Sequence, residues 1–431
     1  MNQGRRTVLG MALLGALEPV WAAAPGAGSS HAALDRALAA IAADPACELA
    51  SLSVLAIRNG ELAYEGAFGR RRIGNGATAD LPATSNTLYR IASVSKLMTT
   101  LGLMRLVEAG KFDLDADVSG YLGFTLRNPH FPRRAITLRH LLTHTSSLRD
   151  EAGYSFPAGT SLRNVLVPGA PATYAKEAGP GDWFTYCNLG WGLIGTMMER
   201  ATGERFDRLM RRLLLDPLGL DAGYNPAELP PAALANLATL YRKRTVDTEV
   251  WNADGPWIAQ ADDVRPPAPP PGLANYVIGE NATPFSPTGG LRISARGLGV
   301  VMRMLMDGGV HEGKRILQAA TLERMFARQW TANGSNGDSM NGFFNAWGLG
   351  NAQFPDQPGM RLVEGFDAVG HLGDAYGLRS VFAFDRKRRN GLVVLVGGTS
   401  SDPGTRKGRY SALASFEENI LTSMFQHAIA S

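Results

Sequence analysis

The sequence predicts an α/β (α+β) fold, in which an antiparallel sheet flanked by helices is built from both chain ends and carries an inserted, mostly helical domain. A β-hairpin pattern stands near each end, with turns predicted at Asn59-Gly60 and Asn390-Gly391. Asn-Gly between two apolar runs is a strong hairpin signal. Helical patterns flank the hairpins, and helical periodicity dominates the residues between them. This order indicates one sheet made by both ends.

The elements at the two ends mirror each other. At the N-terminal end, a helical segment at 33–45 precedes the paired apolar runs LASLSVLAIRNGELAYEGAFG at 49–69. At the C-terminal end, RSVFAFDRKRRNGLVVLVGG at 379–398 forms the second hairpin pattern, and SALASFEENILTSMFQHAIA at 411–430 closes the chain as a helix. Each end therefore supplies two strands and one flanking helix.

The middle of the chain differs in pattern from both ends. Helical periodicity recurs in four segments, which are 97–110, 136–144, 188–202 and 204–215. Residues 225–285 are rich in proline, with RPPAPPPG inside them, and predict a long irregular surface structure. The predicted α/β domain therefore comprises 30–99 and 286–431, and the inserted helical domain with its Pro-rich loop comprises 100–285.

The N-terminus predicts a signal peptide over residues 1–22. Arg5-Arg6 begins it, Val8 to Leu17 is an apolar run too short to span a membrane, and Ala22 offers a small residue for cleavage. The paired arginines are compatible with a twin-arginine signal as well as with the general export route. We therefore expect a mature protein without a membrane span, located in a bacterial periplasm or secreted.

The composition indicates a globular protein that does not bind nucleic acid. The length of 431 residues suggests about two domains. Hydrophobic residues make up 45% and charged residues 19%, which is enough apolar material for a sizeable core. The net charge of +4 is spread along the chain, and the one basic block, 386–389, lies in a predicted turn. Two cysteines, Cys47 and Cys187, are too few for a disulfide-stapled fold.

A serine and a lysine stand one helical turn apart in the apolar run IASVSKLMT at 91–99. The pattern predicts a helix that begins near Ser93, so Ser93 and Lys96 share a face. A serine needs a base to become a nucleophile, and a lysine among apolar groups has a lowered pKa that suits this role. The N–H groups of a helix N-terminus can also stabilise an oxyanion. Ser95 has no lysine three residues later, so Ser93 is the predicted nucleophile.

Other patterns carry less chemistry. His140 and His144 are four residues apart on a predicted helix, a spacing that can bind zinc, but no glutamate follows His140 and no third ligand stands out. GGVHEGKR at 308–315 resembles a phosphate-binding loop, but Arg315 replaces the required Ser or Thr. The chain contains no Gly-x-Ser-x-Gly motif of an α/β-hydrolase. We therefore expect no metal and no cofactor.

Two further motifs complete a set with the Ser-x-x-Lys motif. Tyr186-x-Asn188 begins a predicted helix, and His371-x-Gly373 leads into the C-terminal hairpin. With these motifs in this order, the sequence resembles the serine hydrolases of the β-lactamase and penicillin-binding protein superfamily, especially the class C β-lactamase, D-alanyl-D-alanine carboxypeptidase and esterase branch. The flanks also look like that family, in ITLRHLLTHTSSL at 136–148 and PTGGLRISARGLG at 287–299. The resemblance covers roughly residues 40–425 and implies a β-lactamase/transpeptidase-like fold.

The resemblance implies roles for the residues around Ser93. Ser93 attacks an acyl carbon and forms an acyl-enzyme, while Lys96 and Tyr186 share proton transfer. A tyrosine beside an ammonium group is expected to have a lowered pKa and to act as a base. Asn188 orients Lys96 and the substrate amide.

The third motif is implied to bind and orient substrate. The backbone N–H groups of Ser93 and Asp374 form the oxyanion hole, and His371 replaces the lysine that many family members have. Leu372 replaces a common threonine, whose hydroxyl helps to bind a substrate carboxylate, and Gly373 follows it. Leucine offers no hydrogen bond, and histidine removes a permanent positive charge. These two changes favour neutral esters or amides over substrates that carry a carboxylate.

The predicted function is therefore that of an exported serine hydrolase that acts on a small molecule or peptide with an ester or amide bond. Esterase and D-peptide hydrolase activities are favoured, and a class C-like β-lactamase is the alternative within the enzyme class. The alternative from another class is a penicillin-binding sensor or binding protein that is acylated without turnover. An intact set of Ser93, Lys96 and Tyr186 argues for turnover. The oligomeric state and the natural substrate stay open.

Overall fold

The structure is a computed structural model that describes residues 30–74, 76, 78–167, 171–245 and 250–430. The predicted signal peptide over residues 1–22 lies outside the described residues. Among the residues that are described, no helix combines the length and the apolar character needed to cross a membrane.

The strands are short in the middle of the chain and long at its two ends. In chain order they are β1 Ser51–Arg58, β2 Glu61–Arg72, β3 Leu81–Pro82, β4 Leu88–Arg90, β5 Leu240–Lys243, β6 Trp257–Ala261, β7 Arg292–Ser294, β8 Val310–His311, β9 Lys314–Arg315, β10 Trp330–Thr331, β11 Ala346–Trp347, β12 Ala352–Phe354, β13 Ala368–Ala375, β14 Leu378–Asp385, β15 Asn390–Val396 and β16 Gly398–Thr399.

The helices lie at the chain ends and through the middle. They are α1 Ser30–Ala42, α2 Val94–Glu108, α3 Ser119–Leu122, α4 Leu138–Leu142, α5 Leu162–Leu166, α6 Leu189–Thr202, α7 Phe206–Met210, α8 Pro231–Ala235, α9 Ala295–Met306, α10 Ala319–Phe326 and α11 Ser415–Met424. Single π-helical segments, Arg211–Leu215 and Phe425–Ile429, continue α7 and α11.

One nine-stranded antiparallel sheet joins the two chain ends, which confirms the predicted fold class. Its strand order is β10-β11-β12-β13-β14-β15-β1-β2-β3, so β1 from the N-terminal hairpin pairs directly with β15 from the C-terminal one. Side chains alternate between the two faces of the sheet. Leu52 and Val54 of β1 pack in the apolar cluster that contains residues of α1 and α11, and Leu55 and Ile57 pack in the cluster that contains residues of α2 and α9. The sheet is therefore buried between terminal and internal helices.

The two predicted hairpin turns have different outcomes. The first is confirmed, because Asn59 and Gly60 form a two-residue turn with φ values of 53° and 87°. The second is displaced, because Asn390 already pairs with Asp385 and the turn comprises residues 386–389. The Asp385 side chain accepts hydrogen bonds from two N–H groups in this turn and closes it without Asn-Gly. Asn390 instead accepts a 2.9 Å hydrogen bond from the N–H of Asn59 and links the two hairpin ends.

The Pro-rich segment is more ordered than its sequence predicts. The strands β5 and β6 lie within residues 225–285 and pair with each other, and β5 also pairs with β16 in a three-stranded sheet. The expectation of a long irregular structure is therefore wrong for this part of the segment. The pairing with β16, a strand more than 150 residues later, stabilises β5. A contact this distant in the sequence cannot be predicted from a local pattern.

A buried ion pair fastens the end of this segment to the core. Asp262, directly after β6, faces Arg292 of β7, and the carboxylate accepts hydrogen bonds of 3.1 Å and 2.8 Å from the guanidinium group. Both side chains are at least 90% buried, with exposed fractions of 6% and 9%. The Arg292 charge lowers the pKa of Asp262 although burial raises it. Each charge is therefore held in place by the other.

We expect the Asp262→Asn variant to lose about 3 kcal/mol of unfolding free energy, because it leaves the Arg292 charge buried without its partner. Asparagine is the suitable replacement, since it tolerates the φ of 56° at this position. Urea unfolding measures the loss. The matched control is Asp263→Asn at the exposed neighbouring position, for which we expect a change within about 0.5 kcal/mol. Equal small effects of the two variants would contradict the role of the pair.

Candidate active site

The predicted nucleophile Ser93 is the N-cap of α2 and follows a residue with unusual backbone geometry. Ala92 has a φ of 46°, in the left-handed region that residues with a Cβ rarely adopt. Strand β13 lies directly against this turn. A Cβ on Gly373 would lie 2.7 Å from the carbonyl oxygen of Ile91 and 3.2 Å from the Cβ of Ala92. Glycine at position 373 is therefore what allows β13 to approach the nucleophile.

The amine of Lys96 is fully buried and lies close to three oxygen atoms. Nζ lies 3.0 Å from Oγ of Ser93, 2.7 Å from Oδ1 of Asn188 and 3.2 Å from the main-chain oxygen of Thr288. The amide oxygen and the carbonyl oxygen can only accept hydrogen bonds. A neutral amine donates its two hydrogens to these oxygens and directs its lone pair to the Ser93 hydroxyl. This geometry suits Lys96 as the base for Ser93.

Burial makes a neutral Lys96 accessible near pH 7. Loss of hydration lowers the pKa of Lys96 from 10.5 to about 7, against the opposing effects of Asp150 and Cys187. The surroundings are aromatic, since Nζ lies 4.7 Å from the ring centroid of Tyr186 and 5.7 Å from that of Trp191. The amine is therefore about half deprotonated at neutral pH.

Tyr186 lies next to Ser93 but is not a ready base. Its hydroxyl group is hydrogen-bonded to the Ser93 side chain, and burial nevertheless raises the pKa of the phenol well above 10. The expectation that a neighbouring ammonium group lowers this pKa is therefore wrong, because loss of hydration is the largest effect on the phenol and raises its pKa. The ring is enclosed by His144, Phe344 and Trp347 at centroid distances of 4.4, 5.1 and 6.1 Å. Tyr186 is a neutral phenol that can donate a proton.

Asn188 is held by a carboxylate that the sequence analysis missed. Asp150 accepts hydrogen bonds from the side-chain amide of Asn188 at 2.8 Å, from its main-chain N–H at 2.7 Å and from the N–H of Leu189 at 2.9 Å. The carboxylate therefore caps the N-terminus of α6 and fixes the amide so that its oxygen faces Lys96. Asp150 lies 38 residues before Asn188, and no local pattern connects the two.

The third motif lies on β13, where one edge of the strand is open. Strand β12 pairs with β13 only at Ala368–Gly370, and from His371 onward the described residues place only β14 beside it. Ala375 pairs with Leu378 across a two-residue turn, and hydrogen-bonded pairs alternate along an antiparallel ladder. The N–H groups of Leu372 and Asp374 therefore point away from β14 toward the open edge, which passes Ala92 and the nucleophile.

The side chains of this motif divide between the two faces of the sheet. His371 and Gly373 face α2. Leu372 is 9% exposed, lies opposite Val381 and packs in the apolar cluster that contains residues of α1 and α11. The Asp374 carboxylate lies 3.2 Å from Arg379, opposite it on the ladder, so this arginine is already paired.

His371 is buried and uncharged. Its Nδ1 lies 2.6 Å from the carbonyl oxygen of Leu372, and its ring lies 6.3 Å from that of Tyr186 and 5.4 Å from that of Trp347. Burial and the neighbouring Lys96 lower the pKa of His371 to about 3. No permanent positive charge therefore stands at this position.

Ser95 and the histidine pair have structural partners. Ser95 is buried, and its hydroxyl accepts a 3.1 Å hydrogen bond from the N–H of Leu291, away from Lys96. His140 accepts from the N–H of Thr137, and His144 accepts from the N–H of Cys187. Within the described ranges, no group of three or more His, Cys, Asp or Glu side chains is arranged to hold a metal ion.

Comparison with known proteins identifies the family of the chain. A family model described as Beta-lactamase matches residues 34–415. Esterase EstB of Burkholderia gladioli is 34% identical over 197 residues, which cover 40% of this chain and 46% of that protein. The D-alanyl-D-alanine-carboxypeptidase/endopeptidase AmpH of Escherichia coli (strain K12) is 32% identical over 168 residues, which cover 37% of this chain and 42% of that protein. The matched segments thus span less than half of each relative.

Solved structures extend the likeness to the whole fold. The D-amino acid amidase of Ochrobactrum anthropi SV3 superimposes with a TM-score of 0.65 at 19% identity, over 92% of this chain and 99% of that one. An octameric penicillin-binding protein homologue from Pyrococcus abyssi superimposes with a TM-score of 0.64 at 21% identity, over 91% of this chain and 78% of that one. The family model covers well over half of the sequence, and the chain therefore belongs to the beta-lactamase family of serine hydrolases.

Proposed function

We propose that the chain hydrolyses an ester or amide through an acyl-enzyme on Ser93, as an exported esterase or D-peptide hydrolase. The observation that carries the proposal is the set of acceptors around Lys96, which leaves one direction of the amine for the Ser93 hydroxyl. Serine needs such a base to attack a carbonyl carbon. The N-terminal sequence over 1–22 supports export to the periplasm or the medium.

The acylation step follows from the positions of these groups. Lys96 takes the hydroxyl proton as Ser93 Oγ bonds to the acyl carbon, and the carbonyl oxygen becomes an oxyanion. The N–H groups of Ser93 and Asp374 are the proposed donors to that oxyanion. Tyr186 is neutral and passes its proton to the leaving group, while Lys96 returns the first proton to the phenol. The bond to the leaving group then breaks.

Deacylation repeats these steps with water in the place of Ser93. Water attacks the acyl carbon, Lys96 and Tyr186 again relay its proton, and Ser93 leaves with a restored hydroxyl group. The sensor alternative requires this second half to fail. The buried base and the open strand edge support turnover, as does the resemblance of the chain to Esterase EstB. A class C-like β-lactamase stays the second enzymatic candidate, because residues 34–415 match the Beta-lactamase model.

The Ser93→Ala variant is expected to lose hydrolysis of p-nitrophenyl esters to the background level, because it removes the hydroxyl that lies 3.0 Å from the Lys96 amine. The matched control is Ser95→Ala, which removes a buried acceptor of the Leu291 N–H and should cost stability but not the acyl-enzyme. Mass spectrometry of the intact protein after brief exposure to ester locates the acyl group. Equal loss of acylation in both folded variants would refute the assignment of Ser93.

The pH dependence should identify the base. Below a pKa of about 7 the Lys96 ammonium holds its proton, so kcat/KM for a neutral ester should fall about tenfold per pH unit and should level off above neutrality. Lys96→Ala should lower the rate at least about a hundredfold and remove this decrease at low pH, the acidic limb of the pH profile. Tyr186→Phe should lower the rate similarly but keep the limb, since its phenol is already protonated. A limb that disappears in Tyr186→Phe and persists in Lys96→Ala would assign the base to Tyr186 instead.

Substrates with a carboxylate on the leaving-group side should be poor. His371 beside the open edge of β13 is neutral, Leu372 packs on the opposite face of the sheet, and Arg379 is paired with Asp374. We expect kcat/KM for a simple p-nitrophenyl ester to exceed that for a cephalosporin by at least about tenfold, the effect of one missing charged hydrogen bond. The control is the methyl ester of the same cephalosporin, whose kcat/KM should be equal or higher. A strong preference for the free cephalosporin acid would support the β-lactamase alternative.

A further inference from the structure

An arginine lies beside the candidate active site and takes no part in the proposed mechanism. Arg90 is the last residue of β4 and precedes Ser93 by three positions, so the two Cα atoms are at most about 11 Å apart. Its Nε donates a 3.2 Å hydrogen bond to the carbonyl oxygen of Gly289. Gly289 itself touches the turn before the nucleophile, since a Cβ there would lie 3.6 Å from the carbonyl carbon of Ala92.

The other end of Arg90 rests on the hairpin that carries Asp374. Its guanidinium carbon lies 4.6 Å from the ring centroid of Tyr376, in the turn between β13 and β14. This cation–π contact orients the plane of the guanidinium group and restricts its rotamers. Arg90 is therefore fixed between the Gly289 loop and the hairpin, on either side of the turn that holds Ser93.

The charge of Arg90 is not neutralised. In the part of the chain that the structure describes, Arg90 forms no ion pair, and its two terminal nitrogens donate no hydrogen bond to a carboxylate. Burial lowers the pKa of Arg90 most, the Arg292 charge lowers it further, and Asp262, which is already bound to Arg292, acts in the opposite direction. Arginine keeps its proton in proteins even where burial lowers its pKa. Arg90 therefore carries a fixed positive charge close to the candidate active site, and no carboxylate of the described residues is paired with it.

Two exposed aromatic side chains flank this charge. Tyr376 and Tyr154 are each 43% exposed, although large aromatic side chains are usually well buried. The phenol of Tyr154 lies within electrostatic range of Arg90, Tyr376 and Tyr186. Tyr154 also lines a small cavity with Thr288, whose carbonyl oxygen contacts Lys96.

We propose that Arg90, Tyr154 and Tyr376 form an acyl-anion subsite, which binds a carboxylate on the acyl part of the substrate. The proposal rests on the proposed function and names its substrate class. A guanidinium group with two unpaired nitrogens matches the planar, two-oxygen geometry of a carboxylate. The rings provide apolar walls for the methylene groups between that carboxylate and the scissile bond.

The acyl part is assigned because the other substituents of the reacting carbon have their own places. The leaving group must lie beside Tyr186, which gives it a proton, and the oxyanion must lie beside the N–H of Asp374. The remaining direction leads along the hairpin toward Tyr376 and Arg90. A carboxylate on the leaving group would instead lie on the side of His371, which is neutral.

The test compares matched esters that differ only in charge. Mono-p-nitrophenyl esters of succinic, glutaric and adipic acid are assayed beside p-nitrophenyl butyrate, valerate and hexanoate, and the ratio of kcat/KM is taken for each pair. We expect the wild type to prefer the charged ester for at least one chain length. Arg90→Gln should lower that ratio about 10- to 100-fold. Arg90→Lys should lower it less, because the positive charge stays and only the planar pair of N–H donors is lost.

Two further variants keep the result interpretable. Arg36→Gln removes the same charge from the exposed surface of α1 and should leave the ratio at its wild-type value. Tyr376→Asn, which suits the φ of 57° at an exposed turn, should lower the ratio several-fold even where Arg90→Gln is poorly folded.

The outcomes separate the subsite from the proposed function. A ratio that Arg90→Gln does not change, or a wild type that prefers the neutral ester at every length, overturns the subsite. An Arg90-dependent preference for a carboxylate on the leaving group, tested with acetate esters of 4-hydroxybenzoate and 4-hydroxybenzamide, overturns its placement on the acyl side. Failure of the proposed function is a different result, in which Ser93→Ala hydrolyses charged and neutral esters as fast as the wild type.

Discussion

The burial of one amine organises this molecule. Lys96 comes from a helix that begins at the nucleophile Ser93, and the two oxygen atoms that accept from its amine come from distant parts of the chain, at positions 188 and 288. An amine in this place without acceptors would cost several kcal/mol. The site is therefore complete only when α2, α6 and the segment before β7 pack together. The catalytic geometry therefore forms only when the sheet and the inserted helices are correctly assembled.

The groups around Lys96 are ordered by a second set of contacts. Asp150 fixes the amide of Asn188, so that its oxygen and not its NH₂ group faces the amine. An amide turned the other way would place a donor against Nζ, and it would occupy the lone pair of the neutral amine that the Ser93 hydroxyl needs. The N–H groups at the start of α6 hold Asp150 in return. The carboxylate acts through Asn188, and its role is to position that side chain.

The two ends of the fold are easier to predict from the sequence than its middle. The two hairpins and the helix that begins at Ser93 are local features, set by alternation, by turn residues and by helical periodicity, and they could be predicted. The pairing of β5 with β16 and the contact between Asp150 and Asn188 join residues far apart in the chain, so no local pattern carries them. The raised pKa of Tyr186 cannot be predicted from its motif for a related reason. A neighbouring charge can be guessed from a motif, whereas the degree of burial depends on Phe344 and Trp347 from elsewhere in the sequence.

The same burial that activates Lys96 opposes folding, and the sign follows from proton linkage. In the unfolded chain Lys96 holds its proton up to a pH near 10.5, and in the folded protein it releases the proton near pH 7. Between these values the unfolded state binds more protons, so stability increases with pH, and below pH 7 the folded state bears the full cost. The fall of the pKa from 10.5 to about 7 corresponds to a cost on the order of 5 kcal/mol. That cost is comparable to the whole stability of many domains. The large buried core and the nine-stranded sheet are what allow the fold to keep an amine neutral beside a serine.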